Sequence, residues 1–168
     1  GDRNRYHLLH TVGESAGGKL DADILSIGRS AAVDHINNVR RILAAYLSAA
    51  YGYSDADAAT LAVFITVYNA VYRGDIAAFQ NKYTAAALAE LSAENCGLSV
   101  NYQDWAGRTQ IVIPLLDVTD GGLSTVDTTT LTGKDVIEKM REDEGRGLAD
   151  RKNMTDLKER EAGRANAK

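Results

Sequence analysis

Fifteen consecutive residues, Ala58 to Tyr72, carry no charge, and this run constrains the fold more than any other feature of the chain. A membrane-spanning helix needs about twenty apolar residues, and Thr60, Thr66 and Asn69 interrupt this shorter stretch. It therefore reads as a helix buried inside a protein. Leu61, Phe64, Ile65, Tyr68, Val71 and Tyr72 form a stripe at helical spacing. Ala58, Ala59, Ala62 and Ala70 keep the other side small, so that a second helix can approach closely. Ser54 or Asp55 opens the helix, Asp55 and Asp57 suit the positive end of its dipole, and Arg73 followed by Gly74 closes it.

A helix of this kind needs partners, and the flanking sequence supplies them. Ile36, Val39, Leu43, Tyr46, Leu47 and Ala50 trace another helical face, with Ser30 or Asp34 as its cap and Gly52 as its stop. After the cap Asp75, the residues Ile76, Phe79, Tyr83, Leu88 and Leu91 continue a helical period to Asn95, broken near Thr84 and closed by Gly97. Ser99 caps one short turn that reaches Trp105. Strand signals are fewer. Thr109 to Leu115 alternates around Ile111 and Ile113 and is stopped by Pro114, the only proline, while Asp23 to Ile27 and Tyr6 to Val12 are weaker candidates. The fold expected is mainly α: a compact domain of about four or five helices with a small strand element, followed by a charged helical tail.

Charge divides the chain unevenly. Residues 134 to 168 hold ten Lys+Arg and nine Asp+Glu, which leaves nine basic and fourteen acidic groups in residues 1 to 133. Val136, Met140, Met154 and Leu157 fit one heptad register, but Asp143, Gly147 and Asp150 occupy its other seam positions, so a stable coiled coil is not expected. Four segments follow: an N-terminal extension of strand or loop at 1–22, a helical core domain at 23–118, a linker at 119–133 and a charged helical or disordered tail at 134–168. The net charge of -4 lacks the basic footprint that nucleic-acid binding requires. No transmembrane segment is expected, and the opening Gly1-Asp2-Arg3-Asn4-Arg5 has no signal-peptide apolar core.

Four stretches together resemble a known family. Ile27 to Leu47 (IGRSAAVDHINNVRRILAAYL), Val67 to Asp75 (VYNAVYRGD), Leu91 to Ser99 (LSAENCGLS) and Trp105 to Leu115 (WAGRTQIVIPL) are similar, in order and spacing, to the N-terminal domain of the spirochaetal 83/100-kilodalton antigen family. The resemblance covers about residues 23 to 117. It implies an exported protein whose signal peptide has been trimmed, a periplasmic or cell-envelope location, and a tail that begins a long charged, coiled-coil-like region. It carries over no catalytic residue.

The residues themselves offer few chemical constellations. Cys96 is the only cysteine, which excludes an intrachain disulfide and a cysteine-cluster zinc site. His7 and His10 share a face only if their segment is helical, and a zinc site would need Glu14 or Asp21 to fold back as a third ligand. Asp34 beside His35 suggests a base with its orienting carboxylate, but neighbours on a helix point about 100° apart. Gly17-Gly18-Lys19 lacks the spacing of a phosphate loop, and Arg40-Arg41 reads as a solvated helix edge. The cluster that stands out is Tyr68, Asn69, Tyr72, Arg73 and Asp75, with Trp105 and Arg108 as a second group. These seven form either an interaction patch or core packing and loop ties, since tyrosine, tryptophan and arginine serve both. The function expected is non-enzymatic, with no cofactor and no metal: a cell-envelope module that binds or tethers an envelope or host protein. The alternatives are a small-ligand or metal-binding domain and a host-adhesion module.

Overall fold

In the computed structural model, residues 5–13, 18–33, 35–116, 122–123 and 125–144 are described. Among them the elements run β1 (Tyr6–Thr11), β2 (Asp21–Ile27), α1 (Ile36–Tyr51), α2 (Asp55–Val71), α3 (Ile76–Lys82), α4 (Ala85–Leu88), β3 (Thr109–Leu115), α5 (Thr128–Leu131) and α6 (Lys134–Glu144). A 3-10 turn at Tyr102–Asp104 precedes β3. The helix α2 is central: it touches α1, α5, α6 and β3, and ten of its seventeen residues are buried. An element surrounded in this way must be apolar on every side, which accounts for the uncharged run.

The fold mixes α and β and is not mainly α. All three strand candidates join one antiparallel sheet in the order β1-β2-β3, with Leu8 opposite Leu25 and Leu25 opposite Ile111. Helical periodicity understated this sheet because β2 is buried along nearly its whole length, Asp21 and Asp23 included. A strand covered on both faces shows no in-out alternation, and two early aspartates make DADILSI look like loop. Pro114 sits within β3 at an edge-facing position, where its carbonyl accepts from Asp127 N at 2.8 Å. Its missing N–H points away from β2, so no ladder bond is lost.

Several boundaries differ in cause from the sequence reading. His35 caps α1, its Nδ1 accepting from Asn37 N at 3.1 Å, in place of Ser30; Asp34 lies outside the described residues. Thr84 caps α4, so the break there separates two helices, and the helical period stops at Leu88 and does not reach Asn95. Ser99 does not cap the 3-10 turn's first residue; its Oγ accepts from Asn101 N one residue earlier. The packing crosses all four segments read from the sequence. Strand β1 is hydrogen-bonded to β2, and α6 lies on α2 with Val136, Ile137 and Met140 buried. The coiled-coil seam beyond Glu144 and the glycine at position 17 lie outside the described residues. Among the described residues, no helix is long and apolar enough to cross a membrane.

Candidate functional site

The seven singled-out residues separate around the C-terminal half of α2. Asn69 is fully buried and joins α2 to β3: Nδ2 donates to Val112 O at 2.9 Å and to Ile65 O at 2.8 Å, while Oδ1 accepts from Val112 N at 2.8 Å. Arg73 donates to the carbonyls of Glu94, Asn95 and Gly97 at 3.0–3.1 Å, which ties the following loop to the helix end. Partial burial lowers its guanidinium pKa, with Asp104 acting in the opposite sense. Asp75 caps α3 through Ala78 N. Arg108 meets Asp104 at 3.3 Å on an exposed surface, a pair of little energetic weight. These four make contacts within the chain.

Tyr68 and Tyr72 line a cavity of about 190 Å³ together with Phe79, Lys82, Thr129 and Thr130. Their rings lie 5.3 Å apart at 58°, and the Tyr68 hydroxyl meets that of Tyr83 at 2.8 Å. Tyr72 donates to Asp135 Oδ2 at 3.1 Å. Burial pushes the hydroxyl pKa of all three tyrosines up, and Asp135 adds to the effect at Tyr72.

Trp105 belongs to a second, larger concavity. Its indole Nε1 donates to Ser99 O at 2.9 Å, and its ring packs edge-on to Tyr102. It borders an open groove of about 360 Å³ whose floor is Thr66, Val67 and Ala70 of α2. Ile36 and Arg40 of α1, Lys139 of α6, and the loop residues Leu98, Ser99 and Val100 complete it. Arg40 Nε donates to Thr66 Oγ1 at 3.0 Å, which holds the guanidinium at the groove. Val100 is 81% exposed at its rim. So Arg40, read from the sequence as a plain solvated edge, is a wall of the groove, and Lys139 and Val100 were not singled out at all. Only the packing of α6 on α2 brings Lys139 there.

A further cluster also escaped the sequence. Asp23 is fully buried, and its carboxylate accepts from Tyr46 at 2.6 Å, from Tyr51, and faces His10 Nδ1 at 2.5 Å. Burial and the Asp23 carboxylate both push the two tyrosine hydroxyls upward in pKa. The signal for it lies in the β1–β2 register, which sets His10 opposite Asp23. Because β1 is a strand, His7 and His10 point to opposite faces of the sheet. Among the described residues, no group of three or more His, Cys, Asp or Glu side chains is placed to hold a metal ion. Cys96 is buried, and that burial pushes its thiol pKa up, away from the reactive thiolate.

Fold and site together define an α/β module: a small antiparallel sheet packed with a buried central helix, bearing a cation-flanked groove beside Trp105. The sequence matches the family model of the Borrelia P83/100 protein over residues 1–168, and the chain belongs to that spirochaetal antigen family. No curated protein and no solved structure matches it.

Proposed function

We propose that this chain is a non-enzymatic, cell-envelope interaction module that tethers a partner protein through the groove beside Trp105. The observation that carries this reading is the groove itself: an apolar floor, a nearly fully exposed Val100 at the rim, and a cation from each of the two helices flanking α2. Exposed apolar surface ringed by polar groups is the usual mark of a protein-binding site. Export to the envelope fits the antigen-family membership.

The test is site-specific photocrosslinking of the full-length protein in its native host. A crosslinkable side chain at Val100 is expected to capture one envelope or host protein reproducibly, while the same group at His7, exposed on β1, is not. Capture of nothing at Val100, or equal capture at both positions, overturns the reading. Protease accessibility on intact cells then separates host adhesion from a periplasmic role.

A second reading takes the 190 Å³ cavity between Tyr68, Tyr72 and Phe79 as a small-ligand site. A cavity of about 150 Å³ with apolar walls is enough to hold a benzene-sized molecule. A metabolite screen by thermal shift tests it: stabilisation that Tyr72→Ala removes supports a ligand, and a flat response disposes of one.

A further inference from the structure

Resting on the small-ligand reading of the 190 Å³ cavity, we propose that its occupant is an uncharged aromatic molecule of a single ring, bare or carrying one hydroxyl. The cavity lies where α3, α5 and Gly133, just before α6, meet the C-terminal end of α2. Three of its walls are rings. Tyr68 and Tyr72 lie 5.3 Å apart at 58°, and Tyr68 stands edge-on to Phe79 at 6.3 Å and 86°. Aromatic rings favour offset and edge-to-face contacts at such separations. A guest ring therefore extends a pattern that the walls already follow, which a saturated ring of equal size cannot do. A cavity of about 150 Å³ already holds benzene, so this one takes a single ring with one small substituent. Its walls are also set in advance. The Tyr68 hydroxyl meets that of Tyr83 at 2.8 Å, Tyr72 donates to Asp135 at 3.1 Å, and Phe79 is buried. Walls fixed before binding lower the ordering cost of taking up a guest. Charges of both signs stand near the lining, each bonded to one of its hydroxyls. Lys82 donates to Thr130 at 3.5 Å, Thr130 donates to Asp127 at 2.9 Å, and Tyr72 bonds Asp135. Neither sign of guest ion is favoured by that arrangement, while stripping either of water is costly. A neutral guest is selected.

The test titrates the full chain, labelled with ¹⁵N, with four probes of matched size at neutral pH: phenol, cyclohexanol, benzoate and benzylammonium. Phenol is expected to give saturable shifts at the amides of Ala78, Lys82, Thr130 and Gly133, and to bind about tenfold more tightly than each of the other three. The Trp105 indole N–H, which belongs to the other concavity, should stay in place. Ala78→Leu puts a larger side chain into the cavity without removing a wall and should abolish the phenol shifts. Tyr72→Phe keeps the ring and should retain them. Phenol shifts that survive Ala78→Leu, or that gather at Trp105, overturn the proposal. So does equal or tighter binding of any other probe; if Ala78→Leu abolishes that binding, the small-ligand reading stands while the aromatic, uncharged class falls. If no probe moves these amides, the class falls as well, and the metabolite screen decides the rest. A stabilising metabolite that Tyr72→Ala cancels keeps the ligand site, and a flat screen ends both.

Discussion

Asn69 and Val112 are joined by two hydrogen bonds, Nδ2 to Val112 O at 2.9 Å and Val112 N to Oδ1 at 2.8 Å, so that one side-chain amide pairs with β3 as a neighbouring strand would. The edge of β3 that faces away from β2 is served residue by residue: Gln110 by Asn95 and Gly97, Val112 by Asn69, and Pro114 by Asp127. An edge left bare would be a template for another chain. Asn69→Ala leaves the Val112 N–H and C=O unpaired in the core, at a cost of roughly 2–4 kcal/mol. Asn69→Asp keeps the acceptor but turns a carboxylate toward two carbonyls, and should be the worse of the two. Urea unfolding of both variants checks this; losses below about 1 kcal/mol would mean that the amide is replaceable by water.

Gly97 and Gly52 both have positive φ, 88° and 76°, but only one is hemmed in. A Cβ at Gly97 would lie 2.5 Å from Asn69 O and 2.8 Å from Arg73 Cα, whereas at Gly52 it would meet nothing within 4 Å. Gly52→Ala is expected to cost about 1 kcal/mol, from the left-handed backbone alone. Gly97→Ala adds a backbone collision and should cost more than about 2 kcal/mol. Equal thermal midpoints for the two variants would refute the close approach of the loop to α2.

Asp23 holds three donors from β1 and α1, and its removal strands the Tyr51 hydroxyl indoors. Asp23→Ala should destabilise by roughly 3 kcal/mol. His10→Ala removes a side chain that is 44% exposed and should cost less than about 1 kcal/mol. A double-mutant cycle of His10 with Asp23 measures their coupling, and a His10→Ala loss as large as that of Asp23→Ala would contradict this ranking.

Tyr68 and Tyr83 predict the alkaline limit of the fold. Burial raises both hydroxyl pKa values above the ordinary 10.0. Above pH 10 the unfolded chain releases protons that the folded chain retains, so the unfolded state binds fewer protons and stability falls as pH rises. Their contribution is fully present below pH 10, and each then subtracts about 1.4 kcal/mol per pH unit. Urea midpoints measured across that range should drop steeply, with the share of the tyrosinate absorbance that belongs to Tyr68 and Tyr83 appearing only on unfolding. Titration of these two hydroxyls at the ordinary value in the folded protein would contradict their burial.

The helices were legible because their signals are local. Ser54, Asp75 and Gly52 cap or stop helices where their chemistry places them, and the apolar run became α2. Thr109–Leu115 was also legible, since its β-branched residues alternate between turns. The extent of the sheet was not, because Asp21 and Asp23 are polar residues whose burial depends on partners far away in sequence, Thr84 and Tyr51 among them. The groove was hidden for the same reason. Lys139 sits in a heavily charged stretch that reads as solvated, and only the burial of Val136, Ile137 and Met140 against α2 turns that stretch into a wall. Asn69 and Arg73 stand out in the sequence by residue type, but the backbone groups that occupy them come from β3 and from the loop before it and are set only by the tertiary fold.

The placement of β2 between β1 and β3 has a consequence for the order in which the molecule assembles. Its partner on one side is the strand just before it, and its partner on the other side lies beyond both long helices in the chain. The hairpin β1–β2 can close as soon as it is made, but its second edge stays open until Thr109–Leu115 arrives. Because Asn69 has no strand to serve until then, its pairing with Val112 forms together with the completion of the sheet. Long-range closures of this kind set the pace of folding, so the tempo of this domain is governed by its last strand.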